Sequence, residues 1–162
     1  MDPRLNFPEV APGGLKTMLD IEGYLSKCGL ERSLLHLIKM RTSQINGCAY
    51  CLDMHSKDAR AEGETEQRLY ALDAWRETPF YSARERAALA WTEALTHISA
   101  THAPDETYQE ALAHFSEKDL ANLTLAIVAI NGWNRLAIGF RAPPGAYQPP
   151  ARARQAKVAA PV

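Results

Sequence analysis

Arg41-Thr-Ser-Gln-Ile-Asn-Gly-Cys-Ala-Tyr-Cys-Leu-Asp-Met-His55 is the stretch on which the reading of this chain turns. Asn46-Gly47 is a turn signal, and residues 48–61 are rich in helix formers with no Gly or Pro. Cys48 is therefore expected to open a helix, with Cys51 one turn further in. Spacings of three and four place Cys48, Cys51 and His55 on one helix face. A cysteine near a helix N-terminus meets the positive end of the macrodipole, and a neighbouring imidazole can take its proton. Both effects favour thiolate.

Helical signals fill the rest of the chain, and no segment alternates as a half-buried strand would. The expected helices cover 14–27, 32–45 and 48–62, the last ended by Gly63, and then 66–75 behind a Thr65 cap. Ser82 with Glu85 forms a capping box opening a helix through Ile98. Two more cover 106–115 and a run from a Ser116 cap to about residue 140. The expectation is a single all-α domain, a helical bundle over residues 1–141. Residues 142–162 hold five prolines and read as a Pro-rich surface arm or disordered tail. Leu120 to Ile130 is apolar on nearly every face, so it is expected to be covered partly by a neighbouring protomer.

Composition bounds the function. The chain has 162 residues, 46% of them apolar, and a formal net charge of −1. That length fits one core, and that charge argues against nucleic acid. No apolar run approaches the ~18 residues of a bilayer span, and the N-terminus lacks a signal-peptide core. Three cysteines without such a leader point to a reducing cytoplasm, where a CxxC is catalytic, redox-sensing or metal-binding.

Several chemistries compete for the dithiol. Cys48, Cys51 and His55 supply three zinc ligands where structural zinc wants four, and Cys28 is distant in sequence. Haem attachment needs His directly after the second Cys, where Leu52 stands. A thioredoxin-type site needs a βαβ context. Two merely buried cysteines beside a surface His remain an alternative. In a thiol peroxidase, thiolate attacks the O–O bond and becomes sulfenic acid, which the second thiol converts to a disulfide.

The run from Ile38 to Arg60 resembles the AhpD-like alkylhydroperoxidases of the carboxymuconolactone decarboxylase superfamily. The likeness continues through Glu85-Arg-Ala-Ala-Leu-Ala-Trp-Thr-Glu-Ala-Leu-Thr96 and Ile130-Asn-Gly-Trp-Asn-Arg135. The resemblance implies an AhpD-like all-α fold, homo-oligomers (hexamer first, trimer next), and neither metal nor organic cofactor. It implies a hydroperoxide substrate, reduction by a dithiol or a reducing protein, Cys51 as the attacking thiol, Cys48 as the resolving one and His55 as proton relay. The family motif carries Glu twelve positions before the first cysteine, where this chain has His36, and His before the second, where it has Tyr50. The relay would then run through His36, His55 and Cys51. Glu93 is a candidate for the missing carboxylate; His97 and His102 read as solvated. Asn131, Trp133, Asn134 and Arg135 read as packing or interface residues more than site lining.

The leading expectation is a cytoplasmic (alkyl)hydroperoxide reductase in antioxidant defence. The alternatives are a redox-sensing or interaction protein without turnover, and a lactone enzyme of the decarboxylase branch, which does not require a redox CxxC.

Overall fold

The computed structural model describes residues 2–150, which hold helices and turns but no strand. The order is α1 (Phe7–Val10), α2 (Pro12–Leu25), α3 (Arg32–Asn46), α4 (Ala49–Ala61), α5 (Glu66–Ala71), a 3₁₀ segment (Leu72–Glu77), α6 (Ala83–Thr96), α7 (Ile98–Thr101), α8 (Asp105–His114) and α9 (Glu117–Phe140). This is the expected all-α architecture. The two one-turn helices, α1 and α7, are too short to leave a periodic signal. The segment expected as one helix over 66–75 changes to 3₁₀ at Leu72, with a kink at Ala74.

Local chemistry sets the ends. Ser82 Oγ accepts from the Glu85 amide and the Glu85 carboxylate accepts from the Ser82 amide, the reciprocal box anticipated from sequence. Ser116 caps α9 through the Asp119 amide at 3.1 Å.

α3 stands at the centre and packs against α4, α6 and α9. Leu34, Leu35 and Ile38 join Trp91, Phe115, Leu123 and Ile127 in one apolar cluster. Leu37 and Met40, on another face, join Leu69, Leu72, Trp75 and Leu89 in a second. A helix with apolar groups on two faces can do this only if helices cover it on both sides.

α9 corrects one expectation. Its 24 residues include an 18-residue window of mean hydropathy 1.3, long and apolar enough to cross a membrane by length and composition. Core helices pass the same test. α9 packs on α2, α3, α4, α6 and α8 and buries Leu123, Ile127, Ile130 and Asn134. Val128 and Ile138 stay exposed on it.

The first residues of the C-terminal arm lie along α4. Lys57 Nζ donates to the carbonyls of Gly145 (3.2 Å) and Tyr147 (3.1 Å). The Gly145 amide donates to Asp53 at 3.0 Å, and Tyr147 Oη donates to Asp58 at 2.7 Å. Residues 151–162 of the expected tail lie outside the described residues.

Glu93 has a structural task. Its carboxylate accepts from Trp75 Nε1 (2.9 Å), Arg41 Nε (2.8 Å) and Arg76, tying α6 to α3 and the 3₁₀ segment. Burial works to raise its pKa, but the indole and the two guanidiniums prevail and hold the carboxyl below the usual range. Glu93→Gln should therefore destabilise the fold by about 2–3 kcal/mol, because Arg41 would be left mostly buried with a weakened partner. Urea denaturation of the variant and the wild type at neutral pH measures this loss.

Candidate functional site

Two helix ends meet at Gly47. Its φ of +67° takes the chain out of α3, and the Gly47 and Cys48 amides bond back to Gln44 (3.2 Å) and Ser43 (3.0 Å). These paired bonds close the helix as a Schellman turn, which glycine enters without strain. Cys48 then caps α4: its Sγ accepts from the Cys51 amide at 3.3 Å. Cys48 is thus the N-cap and not the first helical residue, as sequence had it.

Cys48 and Cys51 are joined by a disulfide, with Cα atoms 5.3 Å apart. That spacing is ordinary for a disulfide, so the ring closes on an unmodified helix start. Cys28 is a free thiol elsewhere. Both bonded cysteines are buried, at 1% and 2% exposure.

His55 follows one turn later on the same face, at 6% exposure. Its pKa is pushed down to about 3, first by burial, then by the charges of Lys39 and His36. Its Nε2 is buried without a hydrogen-bond partner. The imidazole is therefore neutral at physiological pH beside the closed disulfide. The alternative of a surface His is corrected.

His36, on α3, comes within electrostatic reach of His55. Its Nε2 lies 3.0 Å from Glu62 Oε2, an ion-pair separation whose alignment falls short of a full hydrogen bond. Its Nδ1 is buried and unpartnered. Burial favours the neutral acid of Glu62, yet His36 and Arg32 hold its pKa below the usual carboxylate range. The carboxylate beside His36 is therefore Glu62; Glu93 is occupied elsewhere. Sequence reasoning missed Glu62 because it faces residues thirty and twenty-six positions back on another helix. Lys39 was missed too; it is held by Glu22 at 2.6 Å.

The segment 131–135 supports the site from below. Asn46 Nδ2 donates to Asn131 Oδ1 (3.0 Å) and Asn134 Oδ1 (2.9 Å). Asn134 Nδ2 reaches Ser43 Oγ at 3.2 Å, and Trp133 Nε1 donates to Glu22 at 3.1 Å. Arg135 Nη1 donates to Asn131 Oδ1 at 2.9 Å. Asn131 and Asn134 thus hold the end of α3, while Trp133 ties α9 to α2 and Arg135 bonds within α9. His97 and His102 are exposed, away from this cluster. Among the described residues no group of three or more His, Cys, Asp or Glu is placed to hold a metal ion.

The model of the carboxymuconolactone decarboxylase family matches residues 12–94, a span that includes the dithiol and both histidines. This chain belongs to that family. The uncharacterized protein YdfG of Bacillus subtilis is 47% identical over 140 residues, covering 86% of this chain and 95% of YdfG. A solved protein of unknown function from Agrobacterium tumefaciens, provisionally assigned to antioxidant defence as an AhpD, is 43% identical. It aligns with a TM-score of 0.87 over 90% of this chain and all of its own. The debrominase Bmp8 shares the fold, with a TM-score of 0.73 at 21% identity over 91% of this chain and 76% of its own. The AhpD-like fold is thus shared with proteins of different chemistry, and function has to be argued from the site.

The depressed pKa of His55 has a consequence for stability. Its folded pKa of about 3 lies below the unfolded value of about 6.5. The unfolded chain therefore takes up a proton near pH 6.5 that the folded chain refuses, and stability falls as pH drops below that point. The oxidised protein should lose about 1.5–2 kcal/mol between pH 6.5 and 5 through this residue. Denaturant midpoints across that window should slope for the wild type and flatten in His55→Asn.

Proposed function

We propose that this protein is a thiol peroxidase of the alkylhydroperoxidase type. The observation that carries the reading is the Cys48–Cys51 disulfide at the start of α4, with a neutral buried imidazole one turn further along. A CxxC that closes its own ring and keeps a base beside it is suited to a two-thiol cycle.

In that cycle the Cys51 thiolate attacks one oxygen of a hydroperoxide, the O–O bond breaks, and the alcohol leaves with one proton. Cys51 is then a sulfenic acid. The Cys48 thiolate attacks its sulfur, and water departs as the disulfide forms. Two thiols and one hydroperoxide give one disulfide, one alcohol and one water. The Cys51 amide and the N-terminus of α4 stabilise a thiolate at Cys48, which suits it to resolve the sulfenic acid and to leave when the disulfide is reduced. His55 accepts the Cys51 proton. Burial and nearby positive charge make it a weak base next to the disulfide, and the thiolate formed on reduction strengthens it by its own negative charge. A dithiol compound or reducing protein in the cytoplasm returns the disulfide to thiols.

The exposed Val128 and Ile138 on α9 offer apolar surface to homo-oligomeric assembly, for which the resemblance to AhpD-like enzymes puts a hexamer first and a trimer next. Light scattering should give a mass several times 18 kDa at micromolar concentration; a stable monomer would sink this part.

A second reading is a redox switch without turnover. The near-complete burial of both cysteines favours it, since a buried disulfide reacts slowly with external thiols. Peroxide consumption with a dithiol reductant separates the two. The enzyme reading expects multiple turnovers, none in Cys51→Ser, a sulfenic acid that persists in Cys48→Ser, and a rate about 10²-fold lower in His55→Ala. One stoichiometric oxidation followed by arrest would establish the switch instead.

A further inference from the structure

We propose that Glu62 is a positioning residue of the dithiol site: its carboxylate orients His36, fixes which ring nitrogen carries the proton, and ends a path from Cys51 through His55 to solvent. The proposal deepens the thiol-peroxidase reading and rests on it.

The local fold delivers this carboxylate. Gly63, at φ +104°, ends α4, and the amides of Gly63 and Glu64 bond back to Arg60 (3.3 Å) and Ala59 (2.9 Å). That closure makes Glu62 the C-cap of α4. Its side chain turns to α3 and meets two residues one helical turn apart. Arg32 Nε donates to Oε2 at 2.9 Å, and His36 Nε2 lies 3.0 Å from the same oxygen.

A carboxylate at Nε2 favours the tautomer with the proton there and leaves Nδ1 as an acceptor. That Nδ1 is buried and unpartnered, as is Nε2 of His55 on the adjoining helix. Buried polar atoms in native proteins find partners. Each of these nitrogens is thus open to a hydrogen bond with water or with a peroxide hydroxyl, and α3 and α4, which carry them, pack against each other.

Burial makes a path necessary. Cys51 and His55 are 2% and 6% exposed, so a thiol proton released there has no direct route to bulk water. The Glu62 side chain is 22% exposed and the His36 side chain 14%, which gives the path a wet end. The charged and titratable groups around His36 are Glu62 with Arg32 on its carboxylate, Lys39 with its partner Glu22, and His55 from α4.

The test uses the full chain with Cys28→Ser, reduced, so that only the pair is read. Two quantities are followed against pH: the ultraviolet absorbance of the thiolate, and the rate of disulfide formation with hydrogen peroxide. Glu62→Gln should displace the thiolate profile and slow oxidation by about 10-fold, the low end for an outer partner of a working His. Glu62→Asp should recover part of the rate. His36→Gln should match Glu62→Gln, and the double variant should lose no more than either single one, as members of one path do. Arg32→Gln, which takes a partner from Glu62 without touching His36, should keep the wild-type profile.

Superimposed profiles for Glu62→Gln and wild type overturn the proposal, as does a double variant that loses the product of the two single effects. If Glu62→Gln does not fold, the comparison passes to Glu62→Asp and His36→Gln, and a wild-type profile for His36→Gln overturns it. If the wild type itself resists peroxide, the peroxidase reading fails, and the thiolate profiles alone decide the role of Glu62.

Discussion

The Asn46 amide is the contact on which the site depends. It donates to the side-chain oxygens of Asn131 and Asn134 on α9 while standing one residue before the glycine that ends α3. An amide with two good acceptors in a partly buried place fixes the turn in direction as well as position. Because Cys48 follows directly, that clamp aims the cap of α4, and through it the face carrying Cys51 and His55. The apolar contacts of α3 and α9 make the bundle cohere, but they are non-directional. Orientation at the dithiol comes from the polar bonds.

Burial and charge work together around that dithiol. His55 is kept neutral first by burial, with Lys39 and His36 nearby acting in the same direction. Each of those groups has its own carboxylate, Glu22 for Lys39 and Glu62 for His36. Lys39 and His36 are thus each set against a carboxylate, one from α2 and one from the end of α4. A plain pair of buried cysteines would not need such an arrangement, and it gives the site an electrostatic setting that redox chemistry can use.

Sequence made the working part of the site legible through spacing. Positions 48, 51 and 55 share a face in any helix, so the trio could be placed without a fold. Ser82 with Glu85 and Ser116 with Asp119 were equally legible, since caps act over three residues. Glu62 and Lys39 were not, because their partners lie on other helices and pairing depends on how those helices cross. For want of that information sequence could offer Glu93 only as a candidate for a carboxylate near the site; its carboxylate is committed to Trp75, Arg41 and Arg76. The extent of α9 was legible from its cap and apolar periodicity, but its 18-residue apolar window was not, because Asn131 and Asn134 interrupt the apolar text without interrupting the helix.

The sequence by itself determined what local geometry and composition control: an all-α chain, a dithiol at a helix start, and an imidazole on the same face. Backbone periodicity and capping fix those within a few residues of each position. Tertiary structure decided which groups surround that trio. It buried His55 and thereby made it neutral, placed His36 within reach of its charge, and supplied a carboxylate from the end of α4. The physical reason is range: a cap acts across one turn, whereas burial and charge act through space between helices that the chain brings together only on folding.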